Sequence, residues 1–215
     1  MDPPVRISID GPTASGKTTL GMWLSDRLSI PFLDSGLTFR GVALGLLDRR
    51  QQPTVHEIRA FLERFQHRPY EPTKQDSPEA VLLDGVDVSH LIWSESCNAV
   101  LPWVTESAEV RQEILDFHLN LTSKRDCITA GRDVALTLAP AIHQIFLFAD
   151  FEVRRERRRR QIAEGGHGTP ILGASSRRDI ETKAFLEGRT GALILDTTGL
   201  AIEDVRGIVV EKFGL

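Results

Sequence analysis

The chain has 215 residues, 41% of them apolar and 26% charged. That describes a soluble globular protein of one domain, or one domain with a small insert, long enough to bury a real core. The net charge of −4 gives no overall basic footprint and argues against a nucleic-acid partner. No apolar run approaches the ~18–20 residues that span a bilayer, so no membrane partner is expected.

The start, "MDPPVRISIDG", lacks the charged, apolar and small-residue regions of a secretory leader. Cys97 and Cys127 lie far apart, as two reduced thiols of a cytoplasmic protein would. The histidines form neither H-x-x-x-H nor H-E-x-x-H, so no protein-built metal site is expected.

Val5 to Ile9 reads as a short buried strand. It feeds "DGPTASGKTTL", which matches G-x-x-x-x-G-K-[ST] at Gly11, Gly16, Lys17 and Thr18. In such a loop glycines let successive N–H groups point inward at phosphates, and the helix predicted over Lys17 to Leu28 adds its N-terminal dipole. The expected nucleoside triphosphate site is Gly11, Pro12, Thr13, Ala14, Ser15, Gly16, Lys17, Thr18 and Thr19. Lys17 reaches the β- and γ-oxygens, and the Thr18 hydroxyl ligates Mg²⁺.

"IPFLD" is a second strand, ending at Asp34. Asp34 is placed to orient Mg²⁺-bound water or a phosphate-contacting arginine; it could instead cap the next helix, as could Ser35. Apolar spacing predicts helices over Leu37 to Arg49 and Val55 to Phe65. His67 to Pro78, with three prolines, reads as a linker. Asp84-Gly85 between apolar pairs is a strong β-hairpin signal.

A helix from Ser107 to Lys124, a buried strand "CITAGRD", a strand "IHQIFLFAD", a strand "ALILDTT" and a helix from about Ala201 complete the series. Strands alternating with helices imply an α/β fold: a P-loop NTPase-type parallel sheet with helices on both faces. The polar clusters GPTASGKT, DSG and GRD follow strand ends, where such sheets bind ligands.

"FEVRRERRRRQ" sets six arginines between Arg154 and Arg160. They read first as a closing lid that neutralises charge on a transferring phosphoryl group. A solvated face ranks second and an RNA patch third. No N-K-x-D guanine signature begins at Asn98 or Asn120, which argues against a GTPase.

The motifs together resemble the bacterial cytidylate kinases, P-loop nucleoside monophosphate kinases, over nearly the whole chain. "IDGPTASGKTTL" is similar to IDGPxxxGKxT. "FLDSGLTFR" is similar to LD[ST]GxxYR, with Phe39 for tyrosine. "VLLDGVDVSHLI", "AEVRQEIL", "AGRDVALTLAP", "IFLFADFEVRRERRRRQ" and "ALILDTTGLAIEDV" follow in the family's order.

The resemblance implies ATP- and Mg²⁺-dependent phosphoryl transfer to CMP or dCMP by a cytoplasmic monomer acting on small molecules. It places Ser35 and Arg40 on the acceptor nucleotide, Arg111 and Asp133 at the cytosine edge, and Arg132 by the phosphates. Arg154, Arg157 and Arg158 are the lid arginines, with Arg158 at the transition state and Asp179 on phosphate and ribose. The implied parts are a core (1–67, 105–151, 171–215), an acceptor insert (about 68–104) and an arginine lid (about 152–170).

Departures cluster on the acceptor side. Leu101 stands for a cytosine-binding serine, Trp93 for an arginine, and Ala135 and Leu136 for the Gly-Thr of GRDxGT. The late R-D-x-x-D-x-x-R-x-x-x-P-L pattern has Ser175 and Thr182 at its arginines and Phe185-Leu186 at P-L. Two alternatives therefore stand beside CMP. One is a kinase of the same fold for a small phosphate-, phosphonate- or sugar-bearing acceptor; the other is a non-catalytic ATP-binding module.

Overall fold

The computed structural model describes residues 4–48, 52–74, 77–123, 125–137, 143–168 and 176–215. Arg49, Lys124, Ser175, part of the expected linker at 75–76, the end of the GRD motif at 138–140 and the lid's last residues at 169–170 lie outside them.

The first strand, β1 (Arg6–Asp10), leads into helix α1 (Lys17–Leu28), and β2 (Phe32–Asp34) into α2 (Ser35–Leu44). Later come β6 (Cys127–Gly131), β7 (His143–Phe148) and β8 (Leu193–Asp196), after an intervening segment described below. These five strands form one sheet in the order β2-β6-β1-β7-β8, and every pairing is parallel.

Burial of successive side chains shows why the sheet is covered twice. On β7, Ile145 and Leu147 join one core with Ile7, Ile9, Leu20, Leu24 and Val209. Phe146, pointing the other way, joins Ala135 and Leu186. The first face is covered by α1 and the C-terminal helix α9 (Ile202–Phe213), the second in part by α8 (Arg177–Glu187). No helix among the described residues is long and apolar enough to cross a membrane.

The intervening segment departs from expectation in two places. Helix α3 (Val55–Leu62), closed at its start by a Thr54/Glu57 capping box, stops before Phe65. Residues Phe65–Arg68 are strand β3, antiparallel to β4 (Ala80–Leu83), which turns through Asp84-Gly85 into β5 (Val86–Asp87). Phe65 and His67 face inward while Gln66 and Arg68 face out. Four residues of alternation cannot be told from the end of an amphipathic helix when the partner strand lies beyond a proline-rich stretch. The antiparallel sheet therefore begins ahead of residue 68.

The expected hairpin is present, with φ of 50° at Asp84 and 79° at Gly85, the paired positive values of a type I′ turn. The expected linker also has a structural task. Tyr70 exchanges backbone hydrogen bonds of 2.9 and 3.0 Å with Phe32, which covers the outer edge of β2.

Beyond β5, helices α4 (Glu95–Glu106) and α5 (Ala108–Thr122) follow, capped by Ser94 and Ser107. A short α6 (Val134–Thr137) leaves the end of β6. The arginine run lies on α7 (Phe151–Ala163), and α8 is a helix that the sequence reading did not anticipate. Helix α2 joins the two sheets: Phe39 and Val42 pack in one cluster with α5, and Leu37 and Leu44 pack against Phe65, Val81 and Ile92.

Candidate active site

The loop after β1 holds an unusual backbone. Gly11, Ala14 and Gly16 have φ of 140°, 62° and 103°. A side chain at Gly11 would collide with the carbonyl oxygen of Leu147, so only glycine fits there. Ala14 takes the left-handed conformation at a cost of roughly 1–2 kcal/mol, strain of the kind that collects at ligand-binding loops. Helix α1 starts at Lys17 with no side-chain cap and no acid in its first turn. Its leading N–H groups are thus left to an anion.

Lys17 Nζ donates to the Pro12 carbonyl at 2.9 Å. Burial, and then the nearby Arg132, pull its pKa down to about 8. Thr18 Oγ1 donates to Asp34 Oδ2 at 3.1 Å, while Asp34 Oδ1 caps α2 by accepting from the Gly36 N–H at 3.0 Å. Asp34 thus caps α2 with one oxygen while the other takes the Thr18 hydroxyl, and Ser35 is the first helical residue rather than the cap.

An open cleft of about 1950 Å³ runs from this loop to α2 and α4. Thr13 to Thr19, Asp34, Ser35, Arg40, Arg132, Asp133, Arg157 and Arg158 all line it. Gly11, Pro12, Arg111, Arg154 and Asp179 are not part of its wall. Gly11 and Pro12 shape the loop from behind.

Arg154 is buried and turned onto the loop, donating to the carbonyls of Thr13 at 3.2 Å and Ala149 at 3.0 Å. Arg111 donates to the carbonyls of Thr105 and Glu106 at the end of α4, at 3.1 and 3.3 Å. The last carbonyls of α4 thus compete with a base edge for Arg111 Nη1, and Arg111 lies outside the lining of the cleft.

Asp179 shows the same competition. It closes a capping box with Ser176 and accepts from Arg132 Nη1 at 2.7 Å. Arg132 also reaches Thr13 Oγ1 at 2.6 Å, so one guanidinium ties the phosphate loop to α8. Its loop is fixed from below by Asp10, which is buried and accepts from the Val134 and Ala135 N–H groups at 2.7 and 2.9 Å. Burial raises the Asp10 pKa to about 7. The signal for Asp10 was available: an acid closing a buried strand beside the glycine loop.

The arginine run divides by helical phase. Arg154, Arg157 and Arg158, spaced i, i+3 and i+4, turn inward. Arg157 donates to Thr197 Oγ1 at 3.0 Å and to its carbonyl at 2.5 Å. Arg158 donates to Gln161 and to the His167 carbonyl, at 2.8 and 3.1 Å. Arg155 pairs outward with Glu152, and Arg159 and Arg160 with Glu156. One face of the helix is thus the solvated one, and the other turns its arginines toward the loop and the cleft. Thr197, unanticipated, lines the cleft and donates to the Ser15 carbonyl at 3.3 Å. Like DSG and GRD, it sits in a polar cluster just past a strand.

On the far wall, Arg40 Nη1 donates to Asn98 Oδ1 at 2.7 Å and to the Ile92 carbonyl at 3.3 Å. Its guanidinium lies 4.4 Å from the Trp93 ring centroid, a cation–π contact. Trp93 in turn stacks on His167, in the segment just past α7, with centroids 5.8 Å apart and planes 7° off parallel. The departure at Trp93 thus gives Arg40 an aromatic floor.

Beneath Asp34 runs a buried chain that no motif announced. The Asp34 N–H donates to Glu79 Oε1, which is 2.8 Å from His67 Nε2. His67 Nδ1 and His118 Nε2 each lie 2.7 Å from Thr38 Oγ1. Burial lowers the pKa of His67 to about 4 and of His118 to about 3, and with Asp34 it raises that of Glu79 well above the usual carboxylate range. Both rings are therefore neutral. His118 Nδ1 is buried without a partner, so its proton belongs on Nε2, donating to Thr38, which donates to His67. The chain fixes the β2–α2 corner against the antiparallel sheet.

A sequence model of the cytidylate kinase family matches residues 7–214. A cytidylate kinase from Nitrosomonas europaea is 31% identical over an alignment covering 96% of this chain and 94% of that protein. One from Streptococcus pyogenes serotype M6 is 30% identical over 97% of this chain and 95% of its own length. With the glycine loop, the cleft beyond it and the parallel sheet beneath both, these matches establish that the chain belongs to the cytidylate kinase family.

Proposed function

We propose that this chain transfers the γ-phosphoryl group of ATP to the phosphate of CMP or dCMP, releasing ADP and CDP or dCDP. One observation carries the reading. The phosphate loop and a second group of cations, Arg40 and Arg132, open onto one continuous cleft. A pure nucleotide sensor has no need of the second group.

In this mechanism an oxygen of the acceptor phosphate attacks the γ-phosphorus, and the bond from phosphorus to the β–γ bridging oxygen breaks, so ADP leaves with that electron pair. The acceptor oxygen is already anionic, and no general base is required. Lys17 and the N–H groups from Thr13 to Thr19 hold the β- and γ-phosphates. Arg40 and Arg132 aim the acceptor. Arg157 and Arg158 screen the transferring charge, and α7 with its outward salt bridges covers the cleft and excludes water. Asp133 faces the acceptor base. Arg154 and Asp179 support the loop and Arg132.

Thr18 and Asp34 offer hard oxygen donors side by side at 3.1 Å, a set that suits Mg²⁺. Thr18 would hold the ion with Asp34 behind it. Bound there with ATP, it supplies neutralisation of the β- and γ-oxygens. The reading extends to a cytoplasmic monomer acting on small molecules alone, in line with the family match.

A coupled ADP-release assay across CMP, dCMP, UMP, AMP and small phosphorylated metabolites tests the proposal. Turnover confined to CMP and dCMP is expected. Turnover of a metabolite in preference to both, or of nothing, contradicts it.

A further inference from the structure

Two like charges from different elements line the cleft near each other, Arg40 on α2 and Arg158 on α7. Burial, and then the charge of Arg158, lower the pKa of Arg40, so the two guanidinium groups repel in a partly desolvated space. Some other contact has to keep them together.

Arg157 is anchored on the donor side by the Thr197 hydroxyl and carbonyl. The acceptors of Arg158 Nη1 are different: Gln161 on the same helix, and the His167 carbonyl in the segment just past it. That segment is fitted around Arg158. Gly168 has a φ of 146°, and Arg158 Nη1 fills the place where a Cβ on Gly168 would stand. The seat of Arg158 therefore depends on where this segment is held.

The His167 ring supplies a hold. It is exposed, yet it lies nearly parallel to Trp93, with centroids 5.8 Å apart, the geometry of an offset stack. Trp93 closes the turn Leu91–Trp93 on the acceptor wall and also carries the Arg40 guanidinium, 4.4 Å from its ring centroid. One indole thus touches both the segment that cups Arg158 and the cation that faces the acceptor.

We propose that His167 is a positioning residue: its ring, clasped to Trp93, pins the segment past α7 to the acceptor wall and so holds Arg158 over the cleft beside Arg40. The assignment rests on the kinase reading above. Arg154 and Arg157 have their own anchors, so the donor side does not depend on this clasp.

The test is a double-mutant cycle in the full chain. His167→Ala lowers kcat with CMP by about 3- to 10-fold, leaves KM for ATP and for CMP within about twofold, and His167→Phe, which keeps a ring to stack, restores most of the loss. Trp93→Ala lowers kcat by a similar factor, and adding His167→Ala to it lowers kcat no further. Hydrogen exchange reads the clasp without turnover: amides from Gln161 to Gly168 exchange about 3- to 10-fold faster in each single variant, and no faster in the double.

An unchanged kcat in His167→Ala overturns the assignment, even where exchange quickens, because the clasp then does not position Arg158. So do independent effects of the two substitutions, or no rescue by His167→Phe. If Trp93→Ala does not fold, Trp93→Leu, apolar but without a ring, takes its place in the cycle. If the wild type turns over another acceptor and not CMP, the CMP reading falls and the cycle is run with that acceptor. Turnover of no acceptor removes the kinase reading, and the exchange cycle alone then decides whether the clasp exists.

Discussion

The two walls of the cleft hold their cations by different means. On the phosphate-loop side the partners are mainly backbone: Lys17 donates to the Pro12 carbonyl, Arg154 to those of Thr13 and Ala149, and Arg157 to that of Thr197 as well as to its hydroxyl. On the acceptor side, side chains and rings predominate: Asn98 and Trp93, beside the Ile92 carbonyl, for Arg40, and Asp133 and Phe39 for Arg178. A cation held by carbonyls keeps its place whatever the neighbouring residue types are. One held by side chains moves whenever those side chains change. Two departures from the family pattern, Leu101 and Trp93, lie on that acceptor wall.

The largest effect should come from the backbone-held wall. Lys17→Ala is expected to lower kcat by about 10²- to 10³-fold or more, with the thermal midpoint unchanged or raised, because a buried ammonium is removed. Near-normal turnover would show that this wall does not hold the donor. Next, Arg40→Ala should raise KM for the acceptor by about 10- to 100-fold and leave KM for ATP within about threefold. Equal changes in both constants would mean that the walls do not act separately.

A pH profile sharpens the same contrast. The pKa of Lys17 is lowered to about 8 by burial and by Arg132. The charged lysine is the form that binds triphosphate, so above pH 8 binding must take up a proton. The value of kcat/KM for ATP should then fall about tenfold per unit as pH rises beyond 8, whereas binding of CMP alone should show no such limb. A profile for ATP that stays flat to pH 9.5 or so would contradict the burial of that charge.

Smaller effects belong to the supports. Trp93→Ala removes the floor under Arg40 and should raise acceptor KM by about 2- to 30-fold. Arg159→Ala, on the outward face of α7 with Glu156, should move every constant by no more than about twofold. A loss there as large as that of Arg158→Ala would erase the division of the arginine run.

How much of this was legible in the sequence follows from the same distinction. The parallel sheet and the phosphate loop were readable because their causes are contiguous: a buried apolar run, then glycines, then a lysine opening a helix. The hairpin was readable for the same reason at Asp84-Gly85. Strand β3 was not, since its partner lies across the proline-rich stretch. Nor was the Glu79–His67–Thr38–His118 chain, whose members come from β3, α2, α5 and the approach to β4. Arg111 and Asp179 were named for ligand contacts, and in the structure Arg111 Nη1 goes to the end of α4 and Asp179 Oδ2 to Ser176 and Arg132. Arg178 stood next to a motif residue unremarked. A motif records which residue types recur, whereas the side that a helical residue faces depends on where the helix begins.

The most direct test of the account follows the phosphoryl group itself. The chain is incubated with γ-labelled ATP, Mg²⁺ and CMP, and the nucleotides are separated. Label recovered in the β-phosphate of CDP, mole for mole with ADP, is the predicted result. Label released as inorganic phosphate, or retained in ATP with CMP unchanged, would contradict transfer between the two walls.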